Sequence, residues 1–210
     1  MSKEQVFIAK GNAPWINSSW KWKDNIANKF VSERVICKDI VNMAFMFYSC
    51  HDLVSLDLSN FDTSNVFAMY GMFNFCENLT TIDVSNFDTT NVDNMSYMFG
   101  NCENLTTLDL SSFDTSNVTE MHNMFDSCSN LTSVDISNFD TSKVENMRNM
   151  FWGCENLTTI KGVIDMKSCT EKYERMFTNC SKLKGVKIKN PPAGFESVSG
   201  LSKSQYTVIY

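Results

Sequence analysis

The sequence predicts an α/β repeat solenoid, a curved rod with parallel strands on one face, short helices on the other and a cap at each end. Two observations indicate this fold: a Leu and a Cys each recur every 26 residues, and each period contains an alternating stretch followed by a stretch with helical spacing. The recurring residues are Leu53, Leu79, Leu105, Leu131, Leu157 and Leu183, with Cys50, Cys76, Cys102, Cys128, Cys154 and Cys180. A fixed period of this kind is typical of units that bury their apolar faces against neighbouring copies.

The first third of each copy has the alternation of a short strand. In Ile82-Asp83-Val84 the apolar side chains point to one face and the carboxylate to the other. Stacking in register would place neighbouring strands about 4.8 Å apart in a parallel sheet.

The second half of each copy has the spacing of a short amphipathic helix. Its apolar residues recur at steps of three and four and would therefore share one helical face. In the copy that includes Asp83 they are Val92, Met95, Met98, Phe99 and Cys102. The segment 88–91 before them, Asp-Thr-Thr-Asn, offers capping side chains. We therefore expect a strand, a turn and about two helical turns in each copy.

The chain divides into three predicted parts. Residues 1–26 match no copy and contain Trp15, Trp20 and Trp22, so we interpret them as an N-terminal cap over the apolar end of the array. Residues 27–189 form the repeat region, beginning with a degenerate copy. Residues 190–210 follow a Pro-Pro pair that cannot continue a helix, and we interpret them as a C-terminal cap with a terminal strand.

Charge is distributed unevenly over 210 residues whose formal net charge is −6. Residues 41–160 contain two Lys/Arg and sixteen Asp/Glu, whereas residues 1–40 and 161–210 carry net charges of about +3 and +5. Because an acidic body repels phosphate backbones, we expect no nucleic-acid partner for it. For the basic ends this repulsion is absent. Self-association could also join a basic end of one chain to the acidic body of another.

Most of the eight cysteines are predicted to be small buried thiols rather than disulfides or metal ligands. Six of them share one repeat position among hydrophobic neighbours, where Cys packs as a small apolar side chain. A zinc site would need closely spaced pairs such as C-x-x-C, and the sequence has none. No metal and no cofactor are expected.

The full template is L-x-x-[LI]-D-[LVI]-S-x-F-D-T-S-x-V-x-x-M-x-x-M-F-x-x-C-x-N, and it covers about residues 40–183. This template closely resembles the BspA-type leucine-rich repeats of bacterial surface proteins. The resemblance implies a leucine-rich-repeat-like scaffold, adhesion or protein binding as the function, and a location at the cell surface. The N-terminal sequence lacks an export signal, from which we expect a cytoplasmic chain without a membrane span.

Two acidic rows follow from the period. The first lies on the predicted sheet face, where stacked carboxylates would repel one another and where a cation or the neighbouring hydroxyls would relieve that repulsion. Calcium is not favoured, because the Gly-rich spacing of calcium-binding solenoids is missing. The members of this first row are Asp57, Asp83, Asp109 and Asp135, and Lys161 and Lys187 continue it with opposite charge. The second row, Asp62, Asp88, Asp114 and Asp140, precedes Thr residues and is interpreted as capping or turn hydrogen bonding.

Catalytic residues are not apparent in the sequence. Its two histidines, His51 and His122, have no recognisable nucleophile at a corresponding repeat position, and phosphate-binding Gly-rich loops are absent. An array that repeats the same side chains in each copy also makes no unique pocket. We therefore expect no enzymatic activity.

Aromatic residues gather at outward positions of the first copies. Such residues on a solvated face are typical interface anchors, although packing between adjacent copies would bury some of them. The candidate binding residues are Phe45, Tyr48, Phe67, Tyr70, Phe75 and Tyr97.

The sequence thus favours a non-catalytic module that binds a protein partner through these aromatics and the acidic sheet face. A chain carried by a phage or mobile element that binds or inhibits a host protein is one version of this function. The alternatives are the repeat region of a bacterial surface adhesin, and a structural component that assembles through its basic ends.

Overall fold

The computed structural model of the chain describes residues 7–9, 35–37, 40–59 and 61–210. Its regular elements are β1 (Phe7–Ala9), β2 (Val35–Cys37), β3 (Ser133–Asp135), β4 (Thr159–Lys161), β5 (Ile164–Asp165), β6 (Val186–Lys189), α1 (Phe195–Ser199) and β7 (Tyr206–Ile209). The strands form three small parallel sheets, β1-β2, β3-β4 and β5-β6-β7. The predicted N-terminal cap lies outside the described residues except for the backbone of β1.

Consecutive copies stack in parallel with an offset of one period. Backbone bridges join residues 26 positions apart over five consecutive steps, namely Asn42, Ala68, Asn94, Glu120, Asn146 and Lys172. The apolar side chains of all these copies belong to one continuous core, in which the repeated Leu residues are almost completely buried. Each copy therefore covers the apolar side of the next, as the periodicity predicted.

The predicted short helices are wrong. In the segment from Met43 to Cys50, the N–H groups of Met46 and Cys50 donate to carbonyls three residues earlier, at 3.2 Å in both cases. The alternate N–H groups donate to the next copy instead, for example from Phe45 to Tyr70 at 2.9 Å. Helix in the described stretches is limited to α1, and this side of the array is a ladder of turns.

Backbone conformation explains why turns replace the helix. In every copy two positions of this segment have positive φ, which a right-handed helix cannot contain. The first position holds Phe45, Gly71, Tyr97, Asn123, Asn149 and Arg175, and the second holds Ser49, Phe75, Asn101, Ser127, Gly153 and Asn179. Gly and Asn tolerate this region best, and they occupy six of these twelve places.

The continuous parallel sheet expected on the opposite side is also incomplete. Regular strand pairing at an offset of 26 residues is limited, in the described part of the chain, to β3 with β4. At the equivalent segments of earlier copies a backbone bond is still present, such as Thr80 N–H to Val54 carbonyl at 3.2 Å, without a strand ladder. In β3-β4 Asp135 faces Lys161, whereas Asp faces Asp in earlier copies, and like charges opposite one another disfavour pairing.

The core is built from ladders of equivalent side chains. Phe47, Phe73, Phe99, Phe125, Phe151 and Phe177 stack with ring centroids 5.2–6.0 Å apart and interplanar angles of 5–11°. Five cysteine thiols beside them donate to carbonyl oxygens of the preceding copy, as for Cys128 to Phe99 at 3.1 Å. These cysteines are free and buried, which confirms the prediction of a thiol ladder.

The C-terminal end contains the three-stranded sheet and α1. The ring of Phe195 at the start of α1 packs between Tyr173 and Tyr206, with centroids 6.0 and 5.4 Å away. In the same region Gly200 makes a close backbone approach, since an added Cβ would lie 2.6 Å from the Thr178 nitrogen. These contacts pack residues 195–206 against the last copy, while the predicted domain boundaries remain predictions.

Candidate protein-binding surface

Five of the six predicted aromatic residues form one continuous row along the turn ladder. The row, called the aromatic row below, consists of Phe45, Tyr48, Tyr70, Phe75 and Tyr97. Its rings meet edge to face, with centroid separations of 4.4 Å for Phe45 and Tyr70, 5.3 Å for Phe45 and Tyr48, 5.8 Å for Tyr48 and Phe75, and 6.4 Å for Tyr70 and Tyr97. This edge-to-face arrangement is the favoured one for aromatic pairs.

The rings of the row are held by one another and remain partly open to solvent. Tyr48 is 38% exposed, and the other four residues are half-buried. Phe67, the sixth predicted residue, is 46% exposed but occupies another repeat position, outside the row. The structure therefore brings together five predicted anchors and separates one.

The backbone at the row explains how these rings fit. Phe45, Phe75 and Tyr97 occupy positive-φ positions, where bulky residues are uncommon. The Phe45 ring lies directly over Gly71, because a Cβ at Gly71 would lie 2.7 Å from it. Gly71 thus adopts the positive φ of its own position without strain, and its lack of a side chain leaves space for the Phe45 ring.

His122 extends the row at the Tyr97 end, with ring centroids 5.2 Å apart. Its Nδ1 atom is 2.8 Å from Ser96 Oγ, 3.0 Å from Glu120 Oε2 and 3.2 Å from Asn146 Nδ2. The sequence predicted no nucleophile at a repeat position corresponding to His122, but Ser96 lies one period earlier and its hydroxyl contacts the ring. Ser96 and Glu120 both contact the same ring nitrogen, so the ring does not lie between them as in a hydrolase triad.

A half-buried carboxylate lies close to the same end of the row. Asp126 accepts hydrogen bonds from the Asn123 amide and from Ser127 Oγ, the latter at 2.9 Å. Burial raises the pKa of Asp126 above its usual value, and the two hydrogen bonds oppose that rise. Burial and the nearby charge of Asp126 also raise the pKa of Tyr97.

The segment that carries the row contains carboxylates and no Lys or Arg. Between residues 41 and 142 the sequence has fourteen Asp/Glu and no Lys or Arg. The first guanidinium along the turn ladder is that of Arg148, which forms a two-pronged pair with Glu174 at 2.9 and 3.2 Å. Arg148 occupies the same repeat position as Tyr70 and His122.

The predicted acidic row on the sheet side, Asp57, Asp83, Asp109 and Asp135, is exposed to solvent. Each carboxylate accepts the N–H of the Ser two residues later, at 2.9–3.0 Å. The hydrogen bonds to Ser111 lower the pKa of Asp109 although Asp83 and Asp135 act to raise it. The hydrogen bonds thus favour the ionised form of Asp109 despite the neighbouring charges.

The second acidic row lies in turns, not at helix ends. The carboxylates of Asp62, Asp88, Asp114 and Asp140 accept the N–H two residues later, at 2.9–3.2 Å. The following Thr residues link adjacent copies, since Thr115 Oγ1 accepts the Asp140 N–H at 2.8 Å and donates to the Asp140 carbonyl at 3.1 Å. The turn part of the prediction is confirmed, and the capping part is wrong because no helix follows.

Other candidate sites are limited. In the part of the chain that the structure describes, no three or more His, Cys, Asp or Glu residues are grouped so that they could hold a metal ion. An open cavity of about 350 Å³ at the C-terminal end is lined by Pro191, Pro192, Gly194, Phe195, Glu196, Ser197 and Tyr206. Within the described stretches, no helix has the length and apolar character needed to cross a bilayer.

Comparison with known proteins gives one match. A family model described as "Mycoplasma protein of unknown function, DUF285" matches residues 24–109 and again residues 83–190. The two overlapping matches are those expected for a repeat family, and together they cover most of the chain. Neither the curated proteins nor the solved structures include a match.

Proposed function

The chain belongs to the DUF285 family, and from this membership and the surface described above we propose that it is a non-catalytic protein-binding module. Its scaffold is a rigid leucine-rich-repeat-like solenoid, and its binding surface is the aromatic row. The acidic sheet face is a secondary contact surface. A binder or inhibitor of a host protein, carried by a phage or mobile element, is one form of this function, and a surface adhesin is another.

The observation that carries the proposal is the continuous row of partly exposed rings. Tyr and Phe supply large contact areas at low entropic cost, and they are frequent anchors of protein interfaces. The rings are fixed by mutual contacts over adjacent copies, so little side-chain freedom is lost on binding. A preorganised aromatic surface of this kind supports protein binding better than it supports chemistry.

The group formed by Ser96, Glu120 and His122 does not favour a catalytic role. Ser96 is fully buried, and its hydroxyl shares a single ring nitrogen of His122 with Glu120. A hydroxyl nucleophile needs access to substrate and a base that is oriented through its other nitrogen. We therefore assign this group a positioning role at the end of the aromatic row.

The test is affinity capture from lysate of the native host, followed by mass spectrometry. Wild-type chain and a Tyr48→Ser/Tyr70→Ser variant are compared, with Phe67→Ser as the matched aromatic control outside the row. We expect a protein that wild type and the control retain and the double variant loses. Equal retention by all three chains would contradict a binding role for the row, provided that thermal unfolding shows each chain to be folded.

A structural component that assembles through its ends is the second candidate, favoured by the charge asymmetry between the acidic body and the basic C-terminal part. Attraction between unlike surfaces is screened by salt. Light scattering would then show oligomers of the chain at low salt that dissociate at high salt. A salt-independent monomer would instead support the first candidate.

A further inference from the structure

We propose that the partner segment bound by the aromatic row is rich in Lys or Arg. This inference rests on the proposed function and specifies its partner: a basic, extended polypeptide whose cationic side chains stack on the rings. Three observations support it, namely the charge of the surrounding body, the chemistry of the rings and the state of the chain's own cations.

The segment that carries the row has charge of one sign. All five rings lie within residues 41–142, a segment with fourteen Asp/Glu and no Lys or Arg. A surface of one sign over this length attracts oppositely charged partners at long range and accelerates their association. An acidic or phosphate-bearing partner is disfavoured by the same field.

The rings provide the short-range contact. The face of a Tyr or Phe ring carries negative charge density and attracts a guanidinium or ammonium group. At the Tyr97 end, His122 contacts both Tyr97 and the half-exposed Glu120, and Asp126 lies close enough to raise the pKa of Tyr97. A guanidinium placed on Tyr97 could thus pair with a carboxylate while stacking on the ring.

Three of the chain's own cations in the later copies are bound by groups of the array. Arg148 continues the repeat position of Tyr70 and is bound by Glu174, and Lys161 contacts Asp135 at 2.7 Å. Lys182 donates to Asn156 at 2.6 Å. Since these three groups are engaged within the chain, we take a separate basic segment as the occupant of the row, and the basic end of a second copy is an outcome of the test below.

The test is fluorescence anisotropy of short labelled peptides with the full chain at low and moderate salt. One peptide alternates Arg with Gly, a second replaces each Arg by uncharged citrulline, and a third replaces it by Glu. We expect binding of the Arg peptide alone, with affinity that falls as salt rises. Tyr70→Leu/Tyr97→Leu should weaken it about tenfold, because Leu retains bulk but has no ring face.

Two variants control for folding and for general charge attraction. Phe67→Leu removes an exposed ring outside the row and should change affinity less than about twofold. Tyr48→Leu alters the most exposed ring of the row and should weaken binding even if the double variant is poorly folded.

Three results would overturn the inference. Equal binding of the Arg and citrulline peptides would exclude charge recognition. Undiminished binding of the Arg peptide by all row variants would assign peptide binding to the acidic body as a whole. Salt-sensitive self-association that is abolished by the row variants would make a second copy the occupant. If the row still captures a protein from lysate while the Arg peptide does not bind, only the proposed chemistry of the partner is wrong. If neither the lysate protein nor the Arg peptide is bound, the proposed binding function is refuted.

Discussion

Positive φ angles at two positions in every copy determine the local backbone of the turn ladder. The position occupied by Gly153 holds Asn101 and Asn179 in other copies and Phe75 in another. Residues other than Gly lose about 1–2 kcal/mol in this region, and Asn tolerates it better than most. Side-chain choice here should therefore follow backbone preference rather than size.

Gly153 provides a test of this preference. Its φ is +71°, and the nearest atom to an added Cβ is Ser127 Oγ at the ordinary contact distance of 3.4 Å. Gly153→Ala should lower the free energy of unfolding by about 1 kcal/mol, and Gly153→Asn should cost less although Asn is larger. Urea denaturation measures both. A greater loss for Asn than for Ala would show that space, rather than φ, limits this position.

Buried Thr hydroxyls connect neighbouring copies where the turn precedes the ladder. Thr115 is 1% exposed and makes both of its hydrogen bonds to the backbone of Asp140. Removal of the hydroxyl leaves the N–H and the carbonyl of Asp140 without this partner, and the buried Thr115 side chain leaves little room for water to replace it.

Thr115→Val should therefore destabilise the chain although it preserves shape. We expect a loss of about 1–3 kcal/mol in the free energy of unfolding. The control is Thr107→Val at an exposed position, which should change stability by less than about 0.5 kcal/mol. Similar effects at the two positions would mean that the hydroxyl bridge contributes little.

At the scale of elements, β3 and β4 are paired strands that place opposite charges directly across from each other. Asp135 on β3 contacts Lys161 on β4 at 2.7 Å. Lys161 and Ser137 lower the pKa of Asp135 to about 2. The ionised carboxylate is thus favoured in the folded chain over the unfolded one.

The pH dependence of this pair has a definite sign. A folded-state pKa below the unfolded value gives stabilisation that is present above about pH 4 and is lost as pH falls towards about 2. Asp135→Asn should therefore be less stable than wild type at pH 6, with the difference disappearing towards pH 2. Denaturation at a series of pH values measures it. Lys161→Met should remove most of the same dependence, and a difference that grows at low pH would contradict this assignment.

At the scale of the whole molecule, residues 41–142 contain fourteen carboxylates, and the repulsion between them destabilises the stack of copies. Hydrogen bonds within each turn stabilise individual carboxylates, but repulsion between turns remains and is long-range. Ionic strength should therefore influence stability more than any single surface pair does.

Added salt should stabilise the chain. Raising NaCl from about 10 mM to about 300 mM shortens the screening length from roughly 30 Å to below 10 Å, and we expect the melting temperature to rise by about 2–4 °C. Scanning calorimetry gives the value, with a neutral osmolyte of equal osmolality as the control. A fall in melting temperature with NaCl would mean that attraction between the body and the basic end dominates.

Much of this organisation is visible in the sequence. The period assigns Leu79, Phe99 and Cys102 to the core, and the structure buries all three. The gathering of aromatics in the first copies predicts the row from Phe45 to Tyr97. These features depend on which residues are apolar and how often they recur, and stacking converts both directly into ladders.

The sequence by itself determined the repeat, its core and the candidate surface, whereas the tertiary structure decided the backbone that carries them. The spacing of Met95, Met98 and Cys102 fits a helix and a run of turns equally well, because both bring every third or fourth residue to one side. The choice depends on where the backbone N–H groups find acceptors, and here half of them find those acceptors in the next copy. The same stacking brought Ser96 to His122 and left Phe67 outside the row, since such contacts arise between copies and not along the chain.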